Sequence, residues 1–178
     1  MDPVYMHVIS LLLSWVFLSA AWHKLRQPDR FRTILDSCRL LPFSARTFHA
    51  LAVGLAEAAI GVGMLVINVR ETAAVAGIFV LIAYALAIAV NLLRGRREID
   101  CGCSGPRGYQ PISWHLVVRN FLLATMAAAT LLTAPARVLG WIDWMTMAFA
   151  GLLAVVIYRG SGVLLENQLK LNEMRRGV

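Results

Sequence analysis

Apolar residues fill five stretches of the chain almost without interruption: Val4 to Trp22, Ala50 to Val69, Thr72 to Leu93, Trp114 to Ala134 and Trp141 to Tyr158. At about 1.5 Å per residue, each can cross roughly 30 Å of hydrocarbon as an α-helix. Barrel strands would alternate over segments of about ten residues, whereas these runs are apolar on all sides. The pattern predicts an all-α integral membrane helical bundle of four to five transmembrane helices, in a single domain over residues 1–178. The third run carries no charge, the second only Glu57, and the fifth holds Asp143 near its start.

The gaps carry the polar residues. In the first, Phe31, Ile34, Leu35, Cys38 and Leu41 recur at helical spacing among Arg and Asp, which predicts a short amphipathic helix lying in the membrane interface. Pro42 ends it, and Ser44 is placed to cap the next helix. In the break at 95–113, Gly95 can close the third helix, Pro106 and Pro111 prevent continuation, and Ser113 stands at an N-cap position. Leucines 164, 165, 169 and 171 among polar neighbours predict an amphipathic surface helix in the tail, 160–178. The first Lys or Arg is Lys24, after the first apolar run, so that run reads as a retained helix and not as a cleaved leader.

Composition agrees with a bilayer setting: 59% of the residues are hydrophobic and 15% charged. The net charge of +7 does not point to nucleic acid, because no arginine-plus-aromatic surface pattern accompanies it. Instead the charges separate by side. Fourteen basic residues fall in the first gap, the third gap and the tail, against Arg70 and Arg137 on the other face, with Arg119 inside the fourth run. By the positive-inside rule the face carrying residues 95–113 is cytoplasmic, meets membrane lipids, and the N-terminus lies outside.

That face holds "IDCGCSGPRG", residues 99–108. A disulfide between Cys101 and Cys103 would close a very small ring, and strain makes such a bond easier to reduce. Gly102 tolerates the backbone conformations the ring needs. The pair suits passing a disulfide on better than stapling a fold, because so short a loop removes little unfolded-chain entropy. Two thiolates at this spacing could also grip a soft ion such as Cu(I) or Hg(II). Zinc would need two more ligands, and the four histidines show no paired spacing to supply them, so no metal ligand set is assigned. Cys38, on the same face, is a possible third thiol or a small apolar residue of the interfacial helix.

Ionisable and amide side chains at membrane depth each raise a functional question. Glu57 and Arg119 stand at similar distances into helices that start on the cysteine face, which predicts an ion pair between them. Its positive end, together with Lys24, could hold a cysteine as the reactive thiolate. Asn91 and Asn120, near the same face, are expected to bond across helices. Gly54, Ala58, Gly61 and Gly63 supply small residues for close helix packing, and Tyr84 and the tryptophans suit core or interface positions.

The segments "NLLRGRREIDCGCSGP" and "QPISWHLVVRN", with "AWHKLRQPDRF", "RLLP" and the Glu57 helix, resemble the methylamine-utilisation protein MauE family, part of a wider DoxX-like group of small membrane proteins. The likeness covers most of the chain. Cys101, Gly102, Cys103, Arg119 and Asn120 carry it by position, while Cys38 has no counterpart in the pattern. The resemblance implies a multi-pass protein of the bacterial inner membrane that supports disulfide formation or export of the methylamine dehydrogenase small subunit. It also implies a thioredoxin-like partner, MauD, and a disulfide-containing client. No cofactor is fixed by the residues, although layout bears a looser analogy to vitamin K epoxide reductase enzymes, where a quinone takes the electrons. The function expected is thiol–disulfide exchange through Cys101 and Cys103. A soft-metal binding or transport protein and a non-enzymatic assembly factor are the rival classes.

Overall fold

The structure, a computed structural model, describes residues 3–38, 46–96, 111–132 and 139–176, and side chains within these except 35–38, 46–50, 165, 166, 169, 170 and 172–176. The described elements are helical: α1 (Pro3–Arg26), α2 (Pro28–Cys38), α3 (Arg46–Gly63), a single 3₁₀ turn (Ile67–Val69), α4 (Arg70–Leu93), α5 (Trp114–Ala129) and α6 (Trp141–Arg176). The protein is a helical membrane protein.

Lipid is the solvent that the side chains imply. On α4, Ala74, Leu81, Ala85, Ile88 and Leu92 are buried, while Phe79, Leu86 and Leu93, at seven-residue spacing, are exposed. A helix apolar on both its buried and its exposed faces is stable only where the surroundings are also apolar. Among the described residues, three helical stretches are long and apolar enough to cross a membrane, Pro3–Arg26, Ile67–Leu93 and Trp141–Leu164. The apolar part of α3, Leu51–Gly63, is shorter. With 18 and 16 residues, α3 and α5 reach about 27 and 24 Å.

Helix α1 is the hub, packing on α3, α5 and α6, while α4 packs chiefly on α5 and also meets α3. Their common core holds Leu13 and Phe17 of α1, Ile60 of α3, Leu81 of α4 and Leu123 and Ala127 of α5. Close approach of α1 and α3 depends on glycine. A Cβ at Gly61 would stand 2.8 Å from Leu18 Cγ, and one at Gly54 would stand 2.9 Å from Leu25 Cδ2. The two glycines and the two leucines are each seven residues apart and matched in reverse order, so α1 and α3 run antiparallel.

Helix α1 runs on past Trp22 to Arg26 and α3 begins at Arg46, ahead of Ala50, and three further boundaries differ from the sequence pattern. Helix α3 ends at Gly63 and not at Val69, and a 3₁₀ turn made of residues from the apolar run reverses the chain into α4. The amphipathic tail is not a separate helix but the continuation of α6, 36 residues long, because no proline interrupts it. Helix α5 stops at Ala129, where the Thr130 hydroxyl donates to the Ala127 carbonyl. The short second helix begins with Pro28 in the first turn, where the missing N–H costs nothing, and Asp29 beside it accepts from Arg32 at 2.9 Å. Pro42 and Ser44 lie outside the described residues.

Candidate functional site: a buried ion pair beside the cysteine connection

Where α1, α3 and α4 meet, three polar side chains converge inside the bundle. The Lys24 ammonium of α1 donates to Glu57 Oε1 of α3 and, at 2.9 Å, to the Tyr84 hydroxyl of α4. Tyr84 in turn donates to the same Glu57 oxygen at 2.6 Å. Lys24 and Glu57 are 4% and 1% exposed, so the pair is shut away from solvent and each charge depends on the other. Two aromatic faces complete the enclosure of the ammonium: the Tyr84 ring at 4.7 Å and, from α2, the Phe31 ring at 5.0 Å. Such contacts strengthen once water is excluded. The second carboxylate oxygen, Glu57 Oε2, is buried and has no hydrogen-bond partner among the described residues.

This arrangement corrects the predicted Glu57–Arg119 pair. The Arg119 guanidinium lies over the Tyr158 ring of α6, 5.5 Å from its centroid, and Tyr158 meets Trp15 of α1 edge to face at 6.0 Å. Trp15 also carries Arg159, 5.7 Å from its ring centroid. The two polar centres therefore touch α1 at Lys24 and at Trp15, nine residues and about 13 Å apart along the helix. Equal distance from helix starts did not translate into equal depth. Lys24 is engaged by Glu57 and Tyr84, so its charge is already neutralised locally.

The two asparagines are buried, but each amide group turns back onto its own helix. Asn91 Nδ2 donates to the Ala87 carbonyl at 2.9 Å and Asn120 Nδ2 to the Leu116 carbonyl at 2.8 Å. The expected bonds across helices are replaced by bonds to the carbonyl four residues earlier. Asn91 Oδ1 is buried without a partner.

Cys101, Gly102 and Cys103 lie outside the described residues, and Cys38 is described only as the last residue of α2. The two ends of the cysteine connection are well defined. At the first, Gly95 takes a φ of +74°, the Gly95 N–H reaches the Leu92 carbonyl at 3.0 Å and the Arg96 N–H reaches the Asn91 carbonyl at 3.0 Å. These two bonds form the Schellman ending predicted from Gly95. At the other end, Ile112 is buried against Ile88, Leu92 and Leu116. Ser113 has the extended N-cap backbone, φ −146° and ψ 159°, although its hydroxyl makes no capping bond. Both ends of residues 97–110 are thus anchored on the α4–α5 pair. Among the described residues, no group of three or more His, Cys, Asp or Glu side chains could hold a metal ion.

Sequence reasoning singled out Lys24, Glu57 and Arg119 but missed Tyr84, Phe31, Trp15 and Tyr158 as their partners. The available signal for Tyr84 was a phenol inside an otherwise uncharged apolar run, since a buried hydroxyl must find a partner.

Comparison with known proteins agrees with the family that the sequence resembles. The family model described as methylamine utilisation protein MauE matches residues 2–134, from α1 through α5. The chain is 37% identical to the methylamine utilization protein MauE of Paracoccus denitrificans over 164 residues, covering 92% of this chain and 88% of that protein. It is 35% identical to the protein of the same name from Methylorubrum extorquens over 165 residues, covering 90% and 87%. No solved structure matches the chain. With a family model spanning five of the six described helices and relatives aligned over nearly their whole length, this chain belongs to the methylamine utilisation protein MauE family.

Proposed function

We propose that the protein is an accessory membrane protein of methylamine utilisation that works by thiol–disulfide exchange through Cys101 and Cys103. The accessory role is supported by the relatives, whose names state methylamine utilisation. The exchange reading rests on the Cys-Gly-Cys spacing, in a connection whose two ends are pinned to one helix pair.

In the reaction, one thiolate attacks a sulfur of the partner's disulfide. The partner S–S bond breaks, a mixed disulfide forms, and the departing thiolate takes a proton. The neighbouring cysteine then attacks the mixed disulfide, leaving Cys101–Cys103 oxidised and the partner reduced; the reverse sequence donates a disulfide. The partner of this reading is a thioredoxin-like, MauD-like protein, with a disulfide-bearing client beyond it, at the bacterial inner membrane. Arg119, on the second turn of α5, supports the connection by tying that helix to Tyr158 of α6, while Asn120 beside it is buried and bonds within α5.

Single replacement tests it. Cys101→Ser or Cys103→Ser should trap a covalent adduct with the partner, seen as a reductant-sensitive band on a non-reducing gel. Absence of an adduct from both single variants overturns exchange.

A further inference from the structure

We propose that Glu57 Oε2 is the recognition point for the hydroxyl of a membrane-soluble quinol, entering between α3 and α4. The observation behind this is an open valence. Glu57 is 1% exposed, its Oε1 accepts from both Lys24 and Tyr84, and its Oε2, equally buried, accepts from nothing among the described residues. An ionised carboxylate oxygen removed from water without a donor is costly, and native interiors supply one wherever they can. Lys24 and Tyr84 are already committed to Oε1, so the donor comes from outside this cluster.

Position selects the class of donor. Glu57 lies within the apolar stretch Leu51–Gly63, so molecules reaching it laterally come from the hydrocarbon phase. The seam crossed by the Tyr84–Glu57 bond is that between α3 and α4, which meet over a smaller interface than α1 with α3 or α4 with α5. Tyr84 is the partly exposed member of the cluster, so the proposed approach is on its side. An apolar molecule carrying a hydroxyl on a flat ring has the chemistry for this site: where α3 and α4 part beside Tyr84, the hydroxyl donates to Oε2 and the ring packs beside the phenol.

The redox role of the site rests on the exchange reading above; the binding does not. Two S–H bonds break and one S–S bond forms when the cysteine pair gives two electrons and two protons to a quinone, which becomes the quinol. The quinol is the form with hydroxyls to donate. The carboxylate therefore favours the reduced form, and a variant lacking the charge loses that preference.

The test is equilibrium binding of decylubiquinol and decylubiquinone to the full chain in phosphatidylcholine nanodiscs, carried out in a Cys101→Ser, Cys103→Ser background so that failure of thiol exchange cannot affect the result. Saturable binding at one quinol per chain is expected, about tenfold or more tighter than the quinone, as for one hydrogen bond to a charged group. Removing both charges together, Lys24→Gln with Glu57→Gln, is expected to erase that difference with helical content retained. Binding no greater than that to empty nanodiscs, equal binding of the two redox forms by the unmodified Lys24–Glu57 site, or an unchanged preference in the double variant each overturns the proposal. The comparison of redox forms needs no substitution at Glu57, so it stands even if the double variant does not fold.

Discussion

Replacing Glu57 with leucine leaves the Lys24 ammonium inside the bundle with the neutral Tyr84 hydroxyl and two aromatic faces but no counter-charge. The side chains of the pair are 3% and 1% exposed, so neither charge can recover solvation by a small movement. Breaking a buried pair from one side costs about 3–5 kcal/mol, because an uncompensated charge remains. Replacing both, Lys24→Met with Glu57→Leu, removes the charge and its partner together, and such exchanges are often close to neutral. One cost persists: the Tyr84 hydroxyl has lost its acceptor, worth about 1–3 kcal/mol for a buried group left unpaired. Adding Tyr84→Phe should return most of that. Unfolding in detergent with increasing denaturant, followed by circular dichroism, gives the five stabilities: the parent, Lys24→Met and Glu57→Leu alone, the double and the triple variant. The predicted order is single variants least stable, the double variant recovered by several kcal/mol, and the triple variant close to the parent. Single variants that each lose under about 1 kcal/mol and simply add in the double variant would refute the reasoning, since additivity means that the two charges do not act on each other.

Two glycines should respond for different reasons. Gly61→Ala forces α1 and α3 apart, since its Cβ would meet Leu18 Cγ at 2.8 Å and the Leu18 backbone nitrogen at 3.2 Å. A loss of about 1–3 kcal/mol is expected, partly relieved by Leu18→Ala in the same chain. Gly95→Ala has open space around the new Cβ but must hold a φ of +74°. About 1 kcal/mol of destabilisation should follow, unrelieved by any neighbouring substitution. Sidedness is testable with a membrane-impermeant maleimide in intact cells, before and after external reduction, in a Cys38→Ser background. The basic residues predict that Cys101 and Cys103 stay unlabelled until the membrane is opened. Labelling after external reduction alone would put the pair on the oxidising side and show that helix packing overrides the charge bias.

Hydropathy made the helices and the membrane setting legible because the bilayer imposes one rule on every spanning segment: its backbone must bond internally and its surface must be apolar. Gly95 was equally legible, as a glycine following an apolar run and entering a polar break is suited to the left-handed closing position. Neighbour relations were not. Depth along a helix can be counted from its start, but Glu57 and Arg119 belong to helices that contact different parts of α1, and only the packing reveals that Lys24 is the partner. Asn91 and Asn120 failed as cross-helix bonds for a local reason: a carbonyl four residues back in the same helix is always within reach. The length of α6 was hidden by Gly160 and Gly162, which weaken a helix by about 1 kcal/mol each without ending it.

The central claim is that Cys101 and Cys103 form a redox-active pair, and its most direct test is a redox titration of the Cys38→Ser protein in lipid nanodiscs. The protein is equilibrated across glutathione and dithiothreitol buffers, alkylated and weighed by mass spectrometry. The account predicts a single two-electron transition in which both cysteines gain or lose protection together, at a potential more oxidising than that of a structural disulfide. Two thiols that remain free and independently alkylated under every oxidising condition would contradict it.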